Sequence, residues 1–244
     1  MWSSIEQIIK PDTLSEASIL LKESGSVLFA GGTYLVGQKD DAVHTLLDIN
    51  HLLNDQIKMQ GDEIHIGAGC TLQEIISFDD ARLNGAILSA CPSKNIRNQR
   101  TIGGEIARLR TDSDLLVFLF ASRTKLCLNE SESSVEFCDW NGEGIIEKMI
   151  IPSHDVKLER VALLDSAPAF VIVGINGLND SIAVCVGGKT SKILFFQTKP
   201  EPNEADIRSF MDEVEASFSN DHLGTPAYKR HLVSVLLQEM AVVK

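Results

Sequence analysis

The sequence predicts an α+β protein of two domains, and three patterns carry this prediction. Short apolar runs of strand length alternate with amphipathic stretches that have helix-capping residues at their starts. Residues 57–59 and 63–66 alternate in polarity around Gly61 and Asp62, which is typical of an antiparallel hairpin. The segment 152–155, Pro-Ser-His-Asp, separates the first group of elements from the second and is the candidate domain boundary.

In the first domain, two helices are indicated by capping boxes. Thr13 and Glu16 predict a helix over 11–24 that Gly25 can close, and Thr71 and Glu74 predict one over 71–77. The other predicted helices cover 83–90 and 112–122, the latter apolar nearly all round. The predicted strands, besides the hairpin, cover 27–30, 45–49, 125–128, 135–138 and 145–151.

The second domain is predicted to combine a hairpin with two long helices. Strands over 169–174 and 181–186 flank a turn at 177–180, and a third strand covers 193–196. Residues 203–218 form an amphipathic helix with Ile207 and Phe210 on its apolar face. Thr225 is expected to cap the last helix, with Pro226 in its first turn.

The composition excludes several classes of function. A formal net charge of −12 argues against nucleic acid or an anionic membrane as a partner. No segment is apolar enough to span a membrane, and Glu6 and Lys10 stand where a signal peptide would need an apolar run. The five cysteines are odd in number without a Cys-x-x-Cys spacing, and the six histidines are scattered. We therefore expect reduced cysteines, no metal site and a cytoplasmic location.

Two glycine pairs are the candidate functional segments. Gly103 and Gly104 lie in a strand-like run, 96–107, inside a basic island: residues 94–110 contain five basic side chains and one acidic one. Gly31 and Gly32 follow the apolar run 27–30, and Thr33 adds a hydroxyl group. Backbone N–H groups at such loops can bind a phosphate or pyrophosphate. Each pair taken alone is also compatible with a tight turn or a bulge.

Together the two loops resemble the signatures of the FAD-binding (medium) subunit of the molybdenum hydroxylases, the xanthine dehydrogenase and carbon monoxide dehydrogenase flavoprotein family. The first signature is Ala-Gly-Gly-Thr with an apolar residue one position on, at 30–35. The second is Ile-Arg-Asn-x-x-Thr-Ile-Gly-Gly at 96–104, followed by Ser-Asp-Leu at 113–115. The similarity covers nearly the whole chain. Glu105 departs from the usual Asn, and Cys91 stands where an aromatic residue is frequent.

The resemblance implies a two-subdomain FAD-binding domain of the PCMH or vanillyl-alcohol-oxidase-like type over 1–151. Its subdomains would cover about 1–55 and 56–151, with FAD between them and the pyrophosphate on the two glycine loops. Residues 152–244 would form a small α+β C-terminal domain of the carbon monoxide dehydrogenase flavoprotein type. Near the flavin ring, the resemblance leaves Lys157 and Arg160 as alternatives. The implied FAD-binding residues are Ala30, Gly31, Gly32, Thr33, Tyr34, Leu35, Thr101, Ile102, Gly103, Gly104, Glu105, Asp114 and Arg160.

For function, the resemblance implies a FAD-dependent, xanthine dehydrogenase-like oxidoreductase subunit. Electrons would pass from a [2Fe–2S] subunit through FAD to NAD or another acceptor, while a molybdopterin-binding subunit oxidises the substrate. The sequence offers no nucleophile–base arrangement, which suits a flavin carrier, and no catalytic residue is predicted. Two alternatives stay open: a stand-alone NADH-dependent flavoprotein, and a flavin-free interaction subunit that keeps the fold.

Overall fold

The computed structural model describes residues 2–129, 131, 133–152, 155–178 and 180–242. The chain forms two compact units. The first consists of Met1–Asp79, Ser93–Arg108 and Lys125–Ile151, and the second of Asp80–Pro92, Leu109–Thr124 and Pro152–Lys244. The chain enters the second unit for the last time at Pro152, where the domain boundary is predicted. Two earlier segments also belong to that unit, and the predicted functional domains 1–151 and 152–244 remain a prediction.

The first unit begins with a small parallel sheet. Its strands are β1 (Gln7–Ile9), β2 (Ser26–Phe29) and β3 (Thr45–Asp48), in the order β1-β3-β2. Helix α1 (Leu14–Leu20) is shorter than predicted, and the short α2 (Leu35–Gln38) follows the first glycine loop. Thr13 accepts the N–H of Glu16 as predicted, but the Glu16 carboxylate accepts from Asp12 instead of Thr13. Strand β1 was not predicted, because three residues are too few to show the alternation of polarity that identifies a strand.

A second sheet in this unit contains five strands. They are β4 (Ile57–Gln60), β5 (Glu63–Gly67), β6 (Lys125–Leu128), β7 (Val135–Glu136) and β8 (Ile146–Pro152), in the order β4-β5-β8-β6-β7. The predicted hairpin is confirmed, because Gln60 pairs with Glu63 across Gly61 and Asp62. The capping box of Thr71 and Glu74 at helix α3 (Leu72–Ser77) is confirmed as well. Strand β7 is shorter than predicted, since a 3₁₀ turn at Phe137–Asp139 buries Phe137.

The run around the second glycine pair is strand-like in sequence but helical in the structure. Between α3 and β6, the first unit has helix α5 (Lys94–Arg97) and helix α6 (Ile102–Ala107), which contains both glycines. Thr101 caps α6 by accepting the N–H of Gly104. Ile102 and Ile106, four residues apart, are both completely buried. That spacing matches one face of a helix, and the β-branched residues follow it despite their strand propensity.

The described part of the second unit contains an antiparallel sheet and four helices. The strands are β9 (Val156–Val161), β10 (Val171–Leu178), β11 (Ser181–Gly188) and β12 (Leu194–Thr198), in the order β12-β11-β10-β9. The predicted hairpin is confirmed with longer strands: Leu178 pairs with Ser181, and Asn179 of the turn lies outside the described residues. The helices are α4 (Ala81–Ala90), α7 (Asp114–Ala121), α8 (Glu204–Ser217) and α9 (Pro226–Val242).

The core of the second unit lies between the sheet and its helices. All eight residues of α7 are buried, as the apolar run predicts. Phe210, Met211 and Val214 of α8 pack with the strands and with α9, whereas Ile207 is 42% exposed against its prediction. Thr225 accepts the N–H of Tyr228 at the start of α9, which confirms the predicted cap. No helix in the described ranges is long and apolar enough to cross a membrane.

A glycine in β11 lets α7 approach the sheet, which generates a first prediction. A Cβ atom at Gly187 would lie 2.5 Å from Val117 Cγ2 and 2.6 Å from the Thr111 carbonyl oxygen. Gly187→Ala should therefore lower the free energy of unfolding by about 1–3 kcal/mol, the usual cost of overpacking. Gly177→Ala in β10 is the control, since a Cβ there meets nothing within 4 Å. Urea unfolding followed by circular dichroism measures both; equal stability of the two variants would contradict the packing account.

Candidate functional site

The first glycine loop carries a row of unused backbone donors. Residues 30–34 connect β2 to α2, and Gly32 has a φ of +64°, in the left-handed region. Within the described part of the chain, the backbone N–H groups of Gly31, Gly32, Thr33 and Tyr34 have no hydrogen-bond acceptor. Gly31 to Thr33 are partly exposed, so these donors can reach a ligand. Consecutive free N–H groups in such a turn form a concave anion-binding site.

The first loop packs directly against the segment that precedes the second. A Cβ atom at Gly31 would overlap the carbonyl oxygen of Gln99, so only glycine allows this approach. Arg100 Nε donates to Thr33 Oγ1 at 3.2 Å, and the guanidinium of Arg108 lies 4.1 Å from the centre of the Tyr34 ring. Both glycine signatures therefore meet inside the first unit, as the resemblance implies.

Glu105 forms an ion pair with both of these arginines, Arg100 and Arg108. Its side chain is completely buried, and its Oε2 atom lies 3.2 Å from Arg100 Nη1 and 3.4 Å from Arg108 Nη1. The arginine side chains are 13% and 15% exposed. A buried carboxylate needs such partners, because an unpaired buried charge is strongly destabilising. The acidic residue that departs from the family signature is thus the centre of an Arg–Glu–Arg cluster.

The second loop uses its backbone donors internally. The N–H groups of Ile102 and Gly103 donate to the carbonyl oxygens of Cys70 and Ala68. Those of Gly104 and Glu105 donate to the hydroxyl and carbonyl oxygens of Thr101. A Cβ at Gly103 would lie 2.8 Å from the Ala68 Cβ, whereas a Cβ at Gly104 would meet only the Thr101 hydroxyl, at 2.9 Å. Gly103 therefore serves packing, and the face of Gly104 is the open one.

The basic island is not a patch of free cations. Arg97 is 6% exposed and donates from Nε to Gln73 Oε1 at 3.1 Å. Arg110 pairs with Asp112 at 2.8 Å, and Arg100 and Arg108 pair with Glu105. Each of these four arginines is therefore engaged by a protein acceptor. The clustering of the arginines in the sequence does not indicate which acceptor each of them contacts.

A second cluster, in the second unit, contains Asp114 and Arg160. Arg160 Nε lies 2.9 Å from Asp114 Oδ1, and the Arg160 Nη atoms donate to the carbonyl oxygens of Asp165 and Ala167. Asp114 is 1% exposed, and neither of its carboxylate oxygens receives a well-aligned hydrogen bond from a described residue. Burial raises the pKa of Asp114 even though Arg160 acts in the opposite direction. Lys157, the alternative to Arg160, donates to the Met240 carbonyl oxygen.

Cys70 contributes to this arrangement through its carbonyl oxygen, which accepts the N–H of Ile102. Burial raises the pKa of the Cys70 thiol to about 11, and the negative charge of Glu74 is the second largest cause of this increase. The thiol therefore stays protonated at neutral pH. Cys91 is 4% exposed at the end of α4. Glu136, Cys138 and Asp139 bring ligand atoms within 4.8 Å of one another, but Asp139 is exposed and such groupings are common without a metal.

Comparisons with known proteins show what the chain is similar to in sequence and in fold. The family model for the FAD binding domain in molybdopterin dehydrogenases matches residues 3–142. Uncharacterized protein YgfM of Escherichia coli strain K12 is 26% identical over 247 residues, covering 97% of this chain and 95% of YgfM. CO dehydrogenase from Oligotropha carboxidovorans shares the fold with a TM-score of 0.71 at 18% identity, covering 96% of this chain and 95% of that one. Quinoline 2-oxidoreductase from Pseudomonas putida 86 gives 0.69 at 14%, covering 96% and 94%.

These findings confirm the predicted fold class and the predicted cofactor, FAD. The family match covers both glycine loops and Asp114. The individual FAD contacts predicted from the signatures remain predictions. Sequence reasoning missed the contacts of Arg100 with Thr33 and of Arg108 with Tyr34, because the partners are 67 and 74 positions apart and carry no shared local signal.

Because Asp114 is buried, its contribution to the free energy of unfolding should depend on pH with the opposite sign to that of most carboxylates. The pKa of Asp114 is raised in the folded state, so folding favours its protonated form. The contribution of Asp114 to the free energy of unfolding is therefore fully present below pH ~3.9. This contribution is lost as pH rises through the folded pKa. The stability of Asp114→Asn relative to the parent protein should therefore increase as pH rises from about 3.5. Urea unfolding of the FAD-free proteins at several pH values measures this difference.

Asp80→Asn is the matched control in the same unit. Burial opposes ionisation of Asp80, but hydrogen bonds from the Leu83 N–H and the Arg82 side chain outweigh it and lower the pKa of Asp80. Its stabilising contribution is present above pH ~3.9 and is lost as pH falls through the folded pKa. The two variants should therefore diverge from the parent in opposite directions, and parallel pH profiles would contradict the assignment.

Proposed function

Because the chain belongs to the family of the FAD binding domain in molybdopterin dehydrogenases, we propose that it is the FAD-carrying electron-transfer subunit of a molybdenum-hydroxylase-type oxidoreductase. The observation that carries the proposal is the row of four free N–H groups on the first glycine loop. A pyrophosphate is the part of FAD that requires such donors. The residues present therefore fit the cofactor at this loop.

In this proposal the first loop holds the pyrophosphate by hydrogen bonds from the backbone. Gly31, Gly32, Thr33 and Tyr34 supply N–H donors, and the Thr33 hydroxyl adds a side-chain donor. Ala30 and Leu35 flank the loop. When bound, FAD supplies the redox chemistry, and the protein binds and orients it. The left-handed conformation at Gly32 allows successive N–H groups to point to one side.

The second loop contributes in a different way. The N–H groups of residues 102–105 donate to protein oxygens, and Thr101 accepts two of these hydrogen bonds, so Thr101, Ile102, Gly103 and Glu105 contribute by supporting the site. Gly104 presents a bare α-carbon on its open face, where cofactor oxygens can approach closely. We therefore retain Gly104 as the residue of this loop in closest contact with FAD.

Asp114 and Arg160 are proposed as further FAD contacts. The Asp114 carboxylate is buried with no aligned donor among the described residues, and the hydroxyl groups of a flavin nucleotide are donors of the required kind. Arg160 holds the carboxylate from one side at 2.9 Å. Lys157 is engaged with the carbonyl oxygen of Met240, which favours Arg160 over Lys157.

The proposed partners are a molybdopterin-binding subunit and a [2Fe–2S] subunit. The solved relatives include a Cu,Mo-CO dehydrogenase and quinoline 2-oxidoreductase, which support a molybdenum hydroxylase context. Electrons would reach FAD from the [2Fe–2S] partner and leave to NAD or another acceptor, as in a xanthine dehydrogenase-like complex. The five cysteines of the chain are thiols that form no disulfide bonds with one another, in keeping with the cytoplasmic location that we propose.

The proposed separation of the FAD from the substrate-oxidising subunit can be tested by reduction of the flavin. NADH should reduce the isolated flavoprotein, or NAD should reoxidise it, whereas purine and nicotinate should leave the flavin oxidised because the hydroxylation site is in another subunit. The flavin absorption band measured anaerobically reports the reduction. Reduction by purine or nicotinate would contradict the proposal, since the substrate site would then lie in this chain.

The two glycines of α6 provide a matched pair for the cofactor site. Gly104→Val should remove FAD while the protein stays folded, because the added methyl groups occupy the open face. Gly103→Val should instead destabilise the fold, since its side chain would overlap Ala68. Flavin content and thermal unfolding are measured on the same samples. A folded Gly104→Val protein with full FAD content would refute the close approach of FAD to this loop.

A further inference from the structure

One buried carboxylate, that of Glu105, is linked to the first glycine loop through two arginines. Glu105 pairs with Arg100 and Arg108, and each arginine contacts one residue of the loop. Arg100 donates to the Thr33 hydroxyl oxygen, and Arg108 stacks on the Tyr34 ring. The guanidinium group is planar and rigid, so Arg100 can bind Glu105 through Nη1 and Thr33 through Nε at the same time.

The hydrogen bond from Arg100 determines the direction in which the Thr33 hydroxyl can donate its proton. Its oxygen accepts from Arg100 Nε, and its own proton has no acceptor among the described residues. A hydroxyl that accepts from a cation directs its proton away from that cation and becomes a better donor. The Thr33 proton is therefore available beside the four free N–H groups.

We propose that Glu105 is a positioning residue for the cofactor's pyrophosphate: it holds Arg100 and Arg108 against the first glycine loop and thereby presents the Thr33 hydroxyl as a donor. This inference rests on the proposed FAD site at that loop. It assigns a role to the acidic residue that stands beside the glycines, where a carboxylate would otherwise repel an anion.

A competing role for Glu105 predicts the opposite sign. If the carboxylate only neutralised the two arginines, its removal would release positive charge, and an anion would bind more tightly. If Glu105 positions them, its removal disconnects Arg100 from Thr33, and the anion binds more weakly. The sign of the change in affinity therefore separates the two roles.

The experiment is a double-mutant cycle on the full chain with Glu105→Gln and Thr33→Val. The dissociation constants of FAD and of inorganic pyrophosphate, the latter from competition, are measured by flavin fluorescence. Each single variant should bind FAD about 10-fold more weakly, a loss of one charge-assisted hydrogen bond. The double variant should also be about 10-fold weaker instead of about 100-fold, because both changes break one chain of contacts.

Two variants serve as controls. Glu74→Gln removes the same charge from the first unit at the capping box of α3, and should leave FAD affinity unchanged. Thr33→Ser keeps the hydroxyl and should bind FAD nearly as well as the parent protein. A purely structural role of Glu105 would give losses that add in the double variant and follow the melting temperature.

The outcomes keep the inference separate from the proposed function. If Thr33→Val weakens FAD binding and Glu105→Gln does not, or if Glu105→Gln binds more tightly, the positioning role is refuted and the site stands. If neither Thr33→Val nor Gly104→Val affects FAD, the site itself is refuted. If Glu105→Gln fails to fold, Arg100→Lys replaces it: one ammonium group cannot reproduce the fork, so a loss similar to that of Thr33→Val is expected, and unchanged affinity overturns the inference.

Discussion

The buried carboxylate of Glu105 between Arg100 and Arg108 is the interaction on which the candidate site depends. A carboxylate with no exposed surface is tolerated only when its charge is matched, and here two guanidinium groups match it. Losing one partner of such a buried pair typically costs about 3–5 kcal/mol, because the remaining charge is left uncompensated. The cluster therefore fixes α6, and through the arginines it also fixes the side of the first glycine loop that faces α6.

The two glycine loops have similar sequences but different tasks. In the first, Gly31 permits contact with Gln99 and Gly32 supplies a left-handed turn, and four N–H groups have no acceptor among the described residues. In the second, the N–H groups of residues 102–105 donate to Thr101 and to the carbonyl oxygens of Ala68 and Cys70, which lie in the turn after β5. One loop therefore provides the donors, and the other provides a rigid support with one open α-carbon. We propose that both glycine pairs serve one FAD site in this way.

Local signals predicted much of the fold. The capping box of Thr71 and Glu74, the hairpin around Gly61 and Asp62, and the apolar helix α7 all follow from neighbouring residues, and all three are confirmed. Helix α6 was missed because Gly-Gly between isoleucines reads as a weak strand, while the burial of Ile102 and Ile106 on one side is a tertiary effect. The pairing of the arginines could not be predicted either, since Thr33 and Arg100 meet only after folding.

The central claim is that backbone N–H groups of the first glycine loop bind the pyrophosphate of FAD. Amide chemical shifts of the isotopically labelled protein, recorded while inorganic pyrophosphate and then FAD are added, test this claim most directly. The account predicts the largest hydrogen-bond shifts at Gly31, Gly32, Thr33 and Tyr34, with the occupied amides of Ile102 and Gly103 changing little. FAD binding that leaves the four loop amides unchanged would contradict it.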